Sequence, residues 1–80
     1  MKYLKHKIGI KAFGSNLRKI RKEKKISQAE LAFRCKMEIS QIGRIERGII
    51  NTSISSIFTI AESLDIAPRD LFDFEMQNDN

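Results

Sequence analysis

The chain has 80 residues, 41% of them hydrophobic and 31% charged, with one Pro and four Gly. This is the composition of one small globular domain, too short for a second catalytic or ligand-sensing unit and too apolar for a disordered tail. No run approaches the roughly 18 apolar residues of a membrane span. The lysine-rich start lacks the apolar core of a secretory signal, so a cytoplasmic protein with no membrane partner is expected.

The net charge of +5 conceals a gradient. Residues 1–26 hold ten Lys or Arg against Glu23 alone, whereas residues 51–80 hold Arg69 against six acids. A basic end facing a polyanion with an acidic end held away suits nucleic acid, although a charge run is as often a solvated helix face. Cys35 has no partner for a disulfide, and His6 is its only and distant companion for a metal. Neither metal nor cofactor is expected. Within an apolar-periodic stretch Cys35 reads as a small core residue, and His6 as a solvated side chain of a tail.

In chain order, residues 1–10 read as a basic N-terminal extension, 11–75 as the folded domain and 76–80 as a polar C-terminal tail. Phe13, Leu17 and Ile20, at i, i+4 and i+7, mark the buried stripe of a first helix that ends near Lys25. Ser27-Gln28-Ala29-Glu30 is a capping box, with the Ser hydroxyl serving the amide three residues on and Glu30 reaching back. It opens a short second helix that points Leu31, Ala32 and Cys35 inward. Lys36-Met37 is the candidate turn.

A third helix follows from about Ile39 to Arg47 and stops at Gly48, the usual residue for a left-handed helix end. With Ile42 as zero and about 100° per residue, Ile45 lies near −60°, while Ser40, Arg44 and Arg47 cluster at roughly 140° to 200°. The outer face of this helix is therefore compact and polar. Thr52 or Ser53 caps a fourth helix expected to bury Ile54, Ile57, Phe58, Ala61 and Leu64. Pro68 suits the first turn of a short fifth helix with Leu71 and Phe72 available to close the core. With no sheet-like alternation anywhere, the fold class is all-α with five helices.

A short capped helix, a turn and a second short helix with a polar outer face make a helix-turn-helix, whose second helix fits the major groove of B-DNA. In that arrangement Ser27 and Gln28 offer donors to phosphate, Ser40, Gln41 and Arg44 face base edges, and Arg47 clamps the flanking backbone. The run Ile26-Ser27-Gln28-Ala29-Glu30-Leu31-Ala32 and the later Ile42-Gly43-Arg44-Ile45-Glu46-Arg47-Gly48 resemble the Cro/phage-repressor (Xre-like) helix-turn-helix family. The resemblance covers roughly Phe13 to Phe74, five elements in order, and in size the chain is similar to controller proteins of restriction-modification operons. It implies a lambda-repressor-like domain that binds double-stranded DNA as a homodimer. It further implies that Gln28 contacts phosphate, that Ile39, Ser40, Gln41, Gly43 and Arg44 fall at base-reading positions, and that Arg21 and Glu46 form a structural ion pair between helices one and three.

The residues leave several alternatives open. Arg44 either reads guanine O6 and N7 or contacts phosphate; Gln41 either reads adenine or bridges to helix two. Ser40 suits a base or a phosphate. Ile39 either meets a thymine methyl or packs on the neighbouring helix. Asn51 and Thr52 can donate to phosphate, capping of helix four being the other role for the Thr-Ser pair. Lys36 stands where that family commonly has Gly, and Gly43 interrupts the third helix at a cost of up to about 1 kcal/mol against Ala. Ile49, Ile50, Phe74 and Met76 serve either a dimer surface or the bottom of the core.

No phosphate-binding Gly-rich loop, nucleophile–base pair or paired carboxylate motif stands in the sequence, so an enzyme is not expected. The function expected is a sequence-specific transcription regulator on a (pseudo)palindromic operator. The alternative is an antitoxin-type module that binds a protein partner and regulates its own operon.

Overall fold

The computed structural model describes residues 5–76. The first residues of the expected extension and the polar tail at 77–80 lie outside them. Four α-helices, α1 (Lys7–Glu23), α2 (Gln28–Cys35), α3 (Ile39–Glu46) and α4 (Ile54–Ser63), are followed by a 3-10 turn at Pro68–Phe72. No strand occurs among the described residues. The expected fifth helix is this 3-10 turn. Pro68 opens it as expected, and Asp70 accepts from the Ala67 amide at 3.0 Å, but five residues give it little more than one turn.

α1 begins earlier than its apolar stripe suggests. Residues 7–10, read as extension, form its first turn, and His6 caps it by accepting from the Gly9 amide through Nδ1 at 3.0 Å. α2 starts where Ser27 accepts from the Glu30 amide at 3.0 Å. The reciprocal half of the capping box is absent: Glu30 turns along the helix to Arg34 at 2.9 Å, an exposed i,i+4 pair. α4 is capped by Ser53, which accepts from the Ser56 amide at 3.1 Å.

All four helices end with one residue in the left-handed region: Lys25 (φ 58°), Lys36 (φ 56°), Gly48 (φ 72°) and Asp65 (φ 57°). At each end the next amide returns to a carbonyl five residues back, as in Met37 to Ala32 at 2.9 Å and Ile49 to Arg44 at 3.0 Å. These bonds satisfy carbonyls the helix itself leaves open. Three of the four ends lack glycine and carry the steric penalty of a Cβ in that region. Lys36 is one of them, so the turn of the helix-turn-helix keeps its geometry despite the substitution.

α1 crosses α3 and packs on the 3-10 turn, α2 packs on α3 and α4, and α4 closes on the 3-10 turn. Leu17, Leu31, Ile42, Ile45, Ile60, Leu64 and Leu71 fill the shared centre. Two positions in α1 decide how closely these elements meet. A Cβ on Gly14 would collide with the Ile45 carbonyl oxygen and lie 2.7 Å from that of Glu46, so only a bare backbone lets α1 cross α3 here. Buried Asn16 donates to the carbonyls of Asp70 (3.1 Å) and Leu71 (2.9 Å), pinning the 3-10 turn to α1.

The burial expected of α4 is only partly realised. Ala61 and Leu64 are buried and Ile57 is half-buried, but Ile54 is 71% and Phe58 54% exposed. Among the described residues α4 packs chiefly on α2 and the 3-10 turn, and that side of the helix stays exposed. Leu71 is buried, whereas Phe72 is half exposed with its ring 5.1 Å from that of Phe13. Ile50 and Phe74 pack against the core, which leaves Ile49 and Met76 as the exposed members of the apolar set singled out at this end.

Candidate nucleic-acid interface

The interface is built on a buried polar junction. Arg21 of α1 meets Glu46 of α3 through one edge of its guanidinium, Nε to Oε2 at 2.6 Å and Nη2 to Oε1 at 3.0 Å. Its remaining edge donates to the Ile26 carbonyl at 2.8 Å. Gln28, the first residue of α2, donates to Glu46 Oε1 at 3.0 Å. One carboxylate thus ties three helices together with every charge paired, the condition under which a buried ion pair is tolerated. The hydrogen bond and the charge of Glu46, against the opposing effect of burial, push the Arg21 guanidinium above even its ordinary range. The bridge from α2 to α3 that Gln41 might have made is made by Gln28 instead.

This junction sets how α3 stands. Ile42 and Ile45 point inward, and Ser40, Arg44 and Arg47 stand on the outer side, all exposed. Gln28, Ile39, Ser40, Gly43 and Arg47 line one shallow groove over the junction, joined by Arg18 of α1. Arg44 and Gln41 lie on the other flank of the α3 crest, outside that groove. Ile39 is 52% exposed, so packing against a neighbouring helix does not account for it. At Gly43 a Cβ would meet only the Gln28 side-chain amide, at 3.9 Å. No neighbour within the chain requires that glycine to be bare.

Ser27 and Asn51 are exposed at the start of α2 and in the loop after α3. Thr52 is a correction: its hydroxyl is buried with no hydrogen-bond partner among the described residues. The residue lines an apolar hollow with Ile45, Ile50 and Ile57. A hydroxyl so buried is not offered to phosphate, and Thr52 is left out of the phosphate-contacting set. Ser53 supplies the cap of α4 without it.

Arg18 is the member of the groove that the sequence reading missed. It sits one turn before Arg21 in a helix read only as buried on one side, and its proximity to Ser40 and Arg47 follows from the α1–α3 crossing. Gly14 and Asn16 were missed for the same reason. Cys35 is buried and its thiol donates to Ser63 Oγ at 3.2 Å. Burial pushes that thiol up, outweighing the opposing effect of its hydrogen bond with Ser63, the setting of an inert core cysteine.

The helix-turn-helix family model matches residues 17–71. The chain belongs to this family. It is 43% identical over 63 residues to control protein C.BamHI of Bacillus amyloliquefaciens, covering 78% of each chain. Among solved structures it superposes on the restriction-modification controller protein C.AhdI of Aeromonas hydrophila with a TM-score of 0.78 and 43% identity, over 79% of this chain and 96% of the other. It likewise matches SinR, a master regulator for biofilm formation solved in complex with DNA, with a TM-score of 0.71 and 32% identity, over 76% and 98% of the two chains. In family terms, α2 and α3 are the two helices of the motif and α3 is its second, recognition helix. No helix of the described residues is long and apolar enough to cross a membrane.

Proposed function

We propose that this chain is a sequence-specific regulator of transcription that binds double-stranded DNA in the cytoplasm as a homodimer. The observation that carries the reading is the contrast across α3. Its inner side is locked by the fully paired Arg21–Glu46–Gln28 junction, while Ser40, Arg44 and Arg47 on its outer side make no side-chain hydrogen bond or ion pair among the described residues. A rigid helix with an unpaired polar crest is what base reading requires. That two of the similar proteins are control or controller proteins, and that a third, the regulator SinR, was solved with DNA, favours this reading over an antitoxin.

In this assignment Arg44 reads guanine in the major groove, with Ser40 and Gln41 reading beside it and Ile39 offering an apolar contact to a thymine methyl. Bare Gly43 lets the helix backbone come close. Ser27, Gln28, Arg47 and Asn51 hold phosphates, and the first amides of α2 add their partial positive charge.

Dimerisation follows from size. Eight residues of α3 are about 12 Å long and span only a few base pairs. Two copies on half-sites about 34 Å apart supply the remaining affinity. The exposed side of α4, with Ile54 and Phe58, is the surface assigned to the second copy.

Selection of sites from random duplex tests the proposal. It should return a two-fold symmetric motif. On it, Arg44→Ala should reduce binding by about 1–3 kcal/mol and relax preference at one base pair per half-site. Gln28→Ala should weaken all duplexes alike. No enrichment over input, or equal losses for Arg44→Ala on selected and random duplex, would remove the reading or its leading residue.

A further inference from the structure

The exposed side of α1 carries Lys7, Lys11, Arg18, Lys19 and Lys22. With Lys7 as zero and about 100° per residue, Lys11, Arg18 and Lys22 fall near 40°, 20° and 60°, a single row. Gly14 and Arg21, which face α3, fall near −20° and −40°, so the row runs directly beside the α1–α3 seam. From Lys7 to Lys22 it extends about 22 Å along the helix.

Two contacts fix this row against the motif. The backbone of Lys11 lies on the end of α3, where a Cβ at Gly48 would stand 2.7 Å from Lys11 Cα. Arg18 lines the groove with Ser40 and Arg47. All four side chains are exposed, and none makes an ion pair or side-chain hydrogen bond among the described residues. Asp73 and Glu75 share a hollow with Lys11 and Lys19 yet pair with neither, and Glu46, which lines the groove with Arg18, is bonded to Arg21 and Gln28. Lys19 lies near 120° on the same wheel, away from the seam. Among the described residues no member of the row therefore has an ion-pair partner, and Lys19, off the row but in the same hollow as Lys11, serves as the control for charge alone.

We infer that Lys7, Lys11, Arg18 and Lys22 form a second, sequence-independent track for the DNA backbone, carrying the phosphates that flank the site read by α3. The inference rests on the DNA-binding reading above and extends the footprint of each subunit past its recognition helix. Its chemistry is counterion release: four amines and guanidiniums along α1 replace cations condensed on consecutive phosphates, adding affinity and salt dependence without sequence preference.

The test is the salt dependence of binding to a fluorescent duplex of mixed sequence spanning about three helical turns, and to a selected duplex of the same length. The variants are the combined Lys7→Gln/Lys11→Gln/Arg18→Gln/Lys22→Gln protein, Lys19→Gln and Arg44→Ala. The combined variant should flatten the slope of log K against log salt by about 0.9 per lost contact, roughly 3 to 4 per bound subunit. Its affinity should fall by the same factor on both duplexes, with an unchanged melting curve because all four residues are exposed. Lys19→Gln should leave the slope as in the wild type.

A wild-type slope for the combined variant overturns the inference. So does a loss for Lys19→Gln equal to that of a single row member, because net charge would then explain everything. In either case, discrimination that persists in the wild type and disappears in Arg44→Ala leaves the DNA-binding reading standing. A wild-type protein that binds neither duplex overturns both.

Discussion

Gly43→Ala separates what α3 needs in order to fold from what it needs in order to bind. The added methyl would lie 3.9 Å from the Gln28 amide, an ordinary van der Waals distance, and the residue has no positive φ. The intrinsic preference of a helix interior for Ala over Gly is then unopposed and stabilises by about 0.5–1 kcal/mol. In a domain of this size that raises the melting temperature by roughly 2–8 °C. In the proposed complex the same methyl stands where the helix backbone comes close to base edges, and overpacking of about 1–3 kcal/mol lowers affinity by roughly fivefold to 150-fold. Thermal melting followed by circular dichroism and anisotropy on a selected duplex check the two halves together. Gly14→Ala is the contrasting control, because its methyl would run into backbone oxygens of α3 and must destabilise. A Gly43→Ala protein less stable than the wild type refutes the open space beside α3; one that is stabilised yet binds unchanged refutes the close approach to DNA.

Breaking the junction from one side, by Arg21→Met or Glu46→Leu, should destabilise by about 3–5 kcal/mol, because each leaves a buried charge without its partner. The double substitution should recover most of that in urea denaturation, and failure to recover would mean that the two residues act separately. Lys36→Gly should stabilise by about 0.5–1 kcal/mol, since it relieves a left-handed lysine at φ 56° at the turn; a loss of stability would show that the lysine side chain contributes more than its backbone strain. Ile54→Asp/Phe58→Asp should leave the monomer fold intact, as both side chains are more than half exposed, and shift the sedimentation coefficient from dimer to monomer. A dimer persisting at micromolar concentration would place the second copy elsewhere.

Much of the motif was legible because its signals are local. Ser27 as a cap, Gly48 as a stop and the outward cluster of Ser40, Arg44 and Arg47 depend only on residues within a turn or two. The Arg21–Glu46 pair joins residues far apart in sequence, and it was reached through the family resemblance. Other features had no local sign. Thr52 beside Ser53 looks like any polar loop residue until the loop turns its hydroxyl toward the core. Ile54 and Phe58 share the spacing of a buried stripe with Ala61 and Leu64, and periodicity cannot tell a face packed within the chain from one left exposed. His6 and residues 7–10 looked like a solvated arm because a basic run carries no apolar stripe, yet the helix continues through them.

By itself the amino-acid order determined an all-helical domain, the starts and stops of α2 and α3, and which side of α3 is polar, since capping, turn and periodicity are properties of neighbouring residues. Tertiary structure alone decided that a bare Gly14 lets α1 lie against α3, that Glu46 ties three helices together, and that Arg18 and Lys11 border the recognition helix. These depend on how closely and at what angle two helices cross, which is set by packing among residues distant in the chain.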